Sequence, residues 1–118
     1  MGNWFLNSHT RERSDMDKGL VELTASEVVE GLKKGEISPL ELISVAETRI
    51  LETEPAINAL PTLCFERARV QAKALMEQER HGAENSRGWL AGLPVAIKDL
   101  TDVAGVRTTY GSTIFRDH

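Results

Sequence analysis

One cysteine, Cys64, stands in the 118 residues. A lone thiol cannot close an internal disulfide, so a reducing, cytoplasmic setting is the expectation. Histidine is equally scarce: His9, His81 and His118 have no helical or hairpin spacing to one another, and no metal site can be drawn from them. Basic residues are in the minority, 14 Lys and Arg against 18 Asp and Glu for a formal charge of −4. Phosphate neutralisation needs clustered Lys and Arg, so nucleic acid is not expected as a direct partner. No apolar run approaches the roughly 20 residues of a membrane span. Trp4-Phe5-Leu6 falls short of the core of about 7–15 residues that an export signal requires. A Met1-Gly2 start suits N-myristoylation, but Leu6 occupies a position that needs Ser or Thr. There is no internal repeat and no low-complexity tract.

What remains is ordinary globular composition, 41% hydrophobic and 27% charged. Residues 1–19 carry cancelling charges and no apolar period, and are expected to form a flexible arm. From Leu20 to Arg80 the apolar residues recur at helical spacing, and seven Lys and Arg against eleven Asp and Glu place the whole net charge in this stretch. Thr24-Ala25-Ser26-Glu27 spells a capping box, after which Val28, Val29 and Leu32 repeat until Gly35, predicting a helix over about 25–34. Ser38 as N-cap, Pro39 at the first helical position and Glu41 three residues after the cap predict a second helix over 39–54. Pro55 should end it, because the residue before a proline avoids the helical region. A third helix is expected over 64–80, with Ala68, Ala72, Leu75 and Met76 on one face and Cys64 buried as a small hydrophobe. Residues 81–92 read as a glycine-marked connection.

Leu93-Pro94-Val95-Ala96-Ile97 is a short uninterrupted apolar run, which suits a strand over about 93–98 buried on both faces of a helix-covered sheet. The fold class expected is therefore α/β. Lys98 ends the run, at the strand end where open α/β sheets place ligand crevices. Burial would disfavour its ammonium form and leave a neutral amine able to act as a base. The plain alternative is a lysine that snorkels to water or pairs with Asp99 or Asp102, themselves expected to be a salt bridge or turn cap. Val95-Ala96-Ile97-Lys98 also spells the ATP-pairing strand of protein kinases, but that role needs an upstream G-x-G-x-x-G loop and a downstream Glu. Gly82, Gly88 and Gly92 have the wrong spacing, and no Glu follows Glu84.

The stretch Leu90-Ala91-Gly92-Leu93-Pro94-Val95-Ala96-Ile97-Lys98-Asp99, continuing through Asp102-Val103-Ala104-Gly105-Val106-Arg107-Thr108-Thr109-Tyr110-Gly111-Ser112, closely resembles the amidase signature family around its catalytic lysine. Ser38-Pro39-Leu40-Glu41-Leu42, Ile57-Asn58-Ala59 and Glu66-Arg67-Ala68 follow the family's order upstream, so the resemblance covers residues 20–118. It implies helices packed on a mixed sheet and hydrolysis of a small-molecule amide by a Ser–cis-Ser–Lys triad, without metal or organic cofactor. Lys98 is then the triad lysine. The family's Gly- and Ser-rich segment, source of both triad serines, lies beyond the lysine and does not occur before His118. Ser112 lacks the Gly-Ser-Ser-Gly surroundings and reads as a turn hydroxyl.

The chain is accordingly expected to be the N-terminal portion of an amidase domain, inactive by itself, and to associate with the remainder of the enzyme or as a homo-oligomer. Two further readings stand beside this one: a non-catalytic helical interaction module, and part of the glutaminase subunit of a tRNA-dependent amidotransferase. Because a doubly buried strand would be left with open edges, the isolated chain is expected to be aggregation-prone or partly molten.

Overall fold

The computed structural model describes residues 19–78 and 87–117. The arm expected over 1–19 lies outside these residues apart from Gly19, and residues 19–22 are helical. About half of the described residues are helical.

Helix α1 spans Ala25–Lys34. The Thr24 hydroxyl accepts from the Glu27 amide at 3.3 Å, and the Glu27 carboxylate accepts the Thr24 amide at 2.7 Å, so two of the four unpaired donors of the first turn are satisfied. Gly35, at φ 74°, ends the helix in the left-handed region. Helix α2 spans Pro39–Ile57 and opens the same way, with the Glu41 amide donating to the Ser38 hydroxyl and the Ser38 amide to the Glu41 carboxylate.

Both carboxyls sit below their ordinary value of 4.5, chiefly because of these hydrogen bonds from Thr24 and Ser38. A depressed carboxyl stabilises the fold above its unfolded-state value, and that contribution fades as pH falls through the lower folded value. Ser38→Ala is therefore expected to cost about 1 kcal/mol at neutral pH. It should also flatten the acid limb of the urea midpoint plotted against pH; an acid limb that keeps its slope in the variant would show that the cap does not govern it.

Pro55 does not end α2. It lies inside the helix, which runs three residues beyond the expected boundary to Ile57. The stop comes from Asn58 at φ 50°, whose amide returns to the Glu54 carbonyl at 2.7 Å. The Glu54 carboxylate then collects the amides of Ala59 and Leu60. A proline in a last turn forfeits only one ladder bond, and a side chain that gathers the next two donors outweighs that loss.

Helix α3 spans Phe65–Glu77 and packs on α2. Arg69 ties the pair together, reaching Glu47 on α2 and Glu66 at 2.7 Å on its own helix. Of the expected apolar face, Ala72 is buried while Met76 is exposed. Cys64 is half-buried at the N-cap of α3, not enclosed in the core.

The core joins α1 and the start of α2 to the segment over 89–93. Val28, Leu32, Leu42 and Ala91 are buried together, with Ile37, Trp89 and Leu93 packed against them. Leu32, 1% exposed, is its most enclosed side chain. Ala91 and Gly92 both adopt positive φ, 55° and 97°, and this tight turn carries the chain past Pro39.

The strand expected over 93–98 is not formed among the described residues, and neither is a sheet. The segment is extended without a ladder partner, and Val95 and Ile97 are 60% and 54% exposed instead of buried on both faces. The only β pairing among the described residues is the isolated bridge between Val103 and Val106. An apolar, β-branched run specifies readiness to pair, whereas a ladder needs a second edge, which none of the described residues supplies.

Candidate active site

The extended segment after Leu93 runs along one wall of an open groove of about 1010 Å³. Ile43, Ala46 and Ile50 of α2 and Ala68 of α3 also line it, as do Cys64 and Lys98. The amphipathic helices generate the apolar lining: their inward faces extend beyond what the small core covers.

Lys98 stands at the end of the extended segment, where the chain reverses sharply. Its carbonyl accepts the amides of Leu100 at 2.7 Å and Thr101 at 3.0 Å. The side chain is exposed. The enclosure expected from a doubly covered strand is thus not supplied by the described residues. Among them the Lys98 amine has no carboxylate partner, so it pairs with neither Asp99 nor Asp102.

Both aspartates are committed elsewhere. Asp99 accepts the Thr109 amide at 2.7 Å and, through its other oxygen, the Thr109 hydroxyl. Asp102 accepts the Tyr110 hydroxyl. The structural role expected for Asp99 and Asp102 takes the form of ties across the loop to Thr109 and Tyr110, and neither the turn cap nor the salt bridge is the form observed. Tyr110 holds φ 52°, a left-handed conformation that costs a non-glycine residue about 1–2 kcal/mol. Its ring lies edge-on to Phe115 with centroids 5.4 Å apart, so a ring contact and the Asp102 hydrogen bond together hold it there. Ser112 caps the short 3₁₀ turn Thr113–Phe115 through the Ile114 amide, in keeping with a turn hydroxyl.

Two arginines seat this loop on α3 and on the connection that precedes it. Arg107 donates to the Pro61 carbonyl at 3.0 Å and to the Thr62 hydroxyl at 3.3 Å, and Arg67 of α3 donates to the Ala104 carbonyl at 2.6 Å. Neither contact is legible in the sequence. The signal there is only the presence of Arg67 and Arg107 inside the family-like blocks, since a partner some 40 positions away leaves no local pattern.

The Thr109 hydrogen bonds hold the Asp99 carboxyl below its ordinary 3.8, with the Gly111 amide and the Arg107 charge adding to the effect. The clasp therefore persists through neutral pH and opens only as pH falls through the depressed Asp99 value. The Thr109 amide chemical shift, followed on acidification, should titrate with a midpoint below 3.8. A midpoint at or above that value would mean that the carboxylate is not held by Thr109 in solution. By the same logic the Asp102 hydrogen bond lifts the Tyr110 phenol above its usual 10.0.

No group of side chains suited to a metal ion occurs among the described residues, and no described helix is long and apolar enough to cross a membrane.

The family model for amidases matches residues 41–118, a span that includes α2, α3, the groove and Lys98. The chain belongs to the amidase family. Among similar proteins, the A subunit of glutamyl-tRNA(Gln) amidotransferase from Natranaerobius thermophilus is 44% identical over 98 residues, covering 83% of this chain and 20% of that protein. Its counterpart from a Roseiflexus species is 37% identical over 99 residues, covering 84% of this chain and 20% of its own length. That of Carboxydothermus hydrogenoformans is 38% identical over 99 residues, with the same coverage. This amidase-family chain thus spans about one fifth of the length of the relatives it matches. No solved structure matches it.

Proposed function

We propose that this chain is the lysine-bearing part of an amidase that cleaves carboxamide C–N bonds, and that Lys98 is its triad base. The observation that carries the reading is the amidase match over residues 41–118, which contains Lys98 together with the segment and loop that present it. In the resting site the amine would be neutral. It would take the nucleophilic serine's proton through the bridging serine as the acyl–enzyme ester forms, then return a proton to the leaving amine. Water would hydrolyse the ester. The serines and the oxyanion donors would come from polypeptide other than these 118 residues, and the isolated chain is expected to turn over no amide. The groove beside Lys98 would meet that polypeptide, and with it the small amide substrate. No metal or organic cofactor enters this chemistry, and a cytoplasmic setting suits it.

The names of the relatives favour one form of the reading, in which the amide is that of glutamine and the ammonia released serves a tRNA-dependent amidotransferase. A chimera tests both. With the 98 matched residues of this chain replacing their counterpart in the Natranaerobius protein, glutamine hydrolysis should persist in the assembled complex. A well-folded chimera that hydrolyses simple amides but not glutamine would select the stand-alone amidase; one that hydrolyses neither would remove the assignment.

A further inference from the structure

The turn after Lys98 puts two carboxylates within four residues of its amine, near enough in the chain for an ion pair that would favour the charged form. Here neither pair forms. Asp99 is taken by the amide and hydroxyl of Thr109, and Asp102 by the hydroxyl of Tyr110, two adjacent residues on the returning limb of the loop. Tyr110 makes this bond from a left-handed backbone conformation, with its ring edge-on to Phe115. Arg67 and Arg107, which line the groove together with Lys98, Asp99 and Cys64, spend hydrogen bonds on the carbonyls of Ala104 and Pro61, seating the loop that carries Thr109.

We propose that Thr109 and Tyr110 are positioning residues that hold both neighbouring carboxylates off Lys98, so that its amine stays free of an anionic partner. The proposal rests on the reading of Lys98 as the triad base for its purpose, though not for its geometry. A base that must be neutral is impaired by any adjacent carboxylate, because the ion pair stabilises the protonated form. Diverting each aspartate to hydroxyl and amide donors removes that pairing while keeping the carboxylates as ties for the loop. The cost is the strained φ at Tyr110, a strain that stands beside the candidate base.

The test uses the 118-residue chain and needs no turnover. Lysines are labelled with an amine-selective acylating reagent, and each site's rate is read by peptide mass spectrometry from about pH 7 to about 11, across the ordinary lysine range near 10.4. Lys33, Lys34 and Lys73 serve as internal references. In the variant Thr109→Val/Tyr110→Phe, Asp102 loses its hydroxyl donor and Asp99 keeps only the Thr109 amide, so a carboxylate oxygen is freed on each and should pair with the amine. Lys98 labelling at about pH 8.5 should then fall roughly threefold against the references, the effect of a half-unit rise in proton affinity. Thr109→Ser with Tyr110 intact should label like the parent chain.

Asp99→Asn and Asp102→Asn supply a check that does not depend on the double variant folding. If the carboxylates are held off Lys98 in the parent, removing either charge should leave its labelling rate unchanged within about a factor of two. A roughly threefold or larger acceleration would show that an aspartate already pairs with the amine, and would overturn the proposal. So would an unchanged Lys98 rate in a double variant that keeps its helical circular dichroism. In the chimera, Thr109→Val should move the acid limb of kcat/KM to higher pH and recover activity there, as a purely structural lesion would not. Failure of the amidase reading would appear as activity indifferent to Lys98, a result that leaves the labelling outcome untouched.

Discussion

Lys98→Ala in the chimeric amidase is expected to lower turnover by about 10²–10⁴-fold, the usual range for loss of a positioned general acid–base. One amine is asked to do two proton transfers, accepting from the serine relay and returning to the leaving group. No other described side chain can substitute. Arg67 and Arg107 lie in the same groove but are bound to carbonyls, and both aspartates beside Lys98 are tied to the loop. Lys98→Arg should be nearly as inactive as the alanine variant, because a guanidinium keeps its proton in any pH range the protein survives. Steady-state hydrolysis over a pH series measures this. Retention of more than about a tenth of the parent kcat by the alanine variant would remove Lys98 from the mechanism.

Gly92→Ala is expected to be the most damaging small substitution in the described chain. At φ 97° an alanine is strained, and its Cβ would lie 2.6 Å from Pro39 Cγ and 3.0 Å from Leu75 Cδ2. Pro39 is a ring held at the first position of α2, so it cannot swing aside as a flexible side chain would. Strain and overpacking together should cost about 2–5 kcal/mol. That is a large share of what a domain of this size has. The damage would spread, since the turn at Ala91 and Gly92 brings Ala91 into the core with Val28, Leu32 and Leu42. Gly111→Ala separates the two causes: Gly111 also has positive φ, 69°, but meets nothing within 4 Å. Urea titrations of both variants, read by helical circular dichroism, should show a far larger midpoint loss at Gly92. Equal losses would mean that the contact with Pro39 does not matter in solution.

Local signals in the chain were legible wherever their partners lay a few residues away. Both capping boxes close over three residues, Gly35 ends α1 on its own backbone freedom, and Ser38-Pro39 launches α2. Pro55 misled because a proline rule ignores the neighbours on either side: Asn58 and the Glu54 carboxylate secure a longer helix. Lys98 stood out as the one charge closing an apolar run, and its block carried the family resemblance. Which groups would meet Asp99 and Asp102 did not, since Thr109 and Tyr110 are chosen by how the loop returns.

By itself, then, the order of residues determined the helices, their starts and the family, because hydrogen bonds of short span and a dense run of family-like residues depend on neighbours in the chain. Tertiary structure decided the rest. It left 93–98 extended and open, since a ladder is completed by another strand's donors and acceptors. It also drew Arg107 to Pro61 and tied the loop back on itself, because contacts across 46 positions are selected by packing and by the need to pair polar groups.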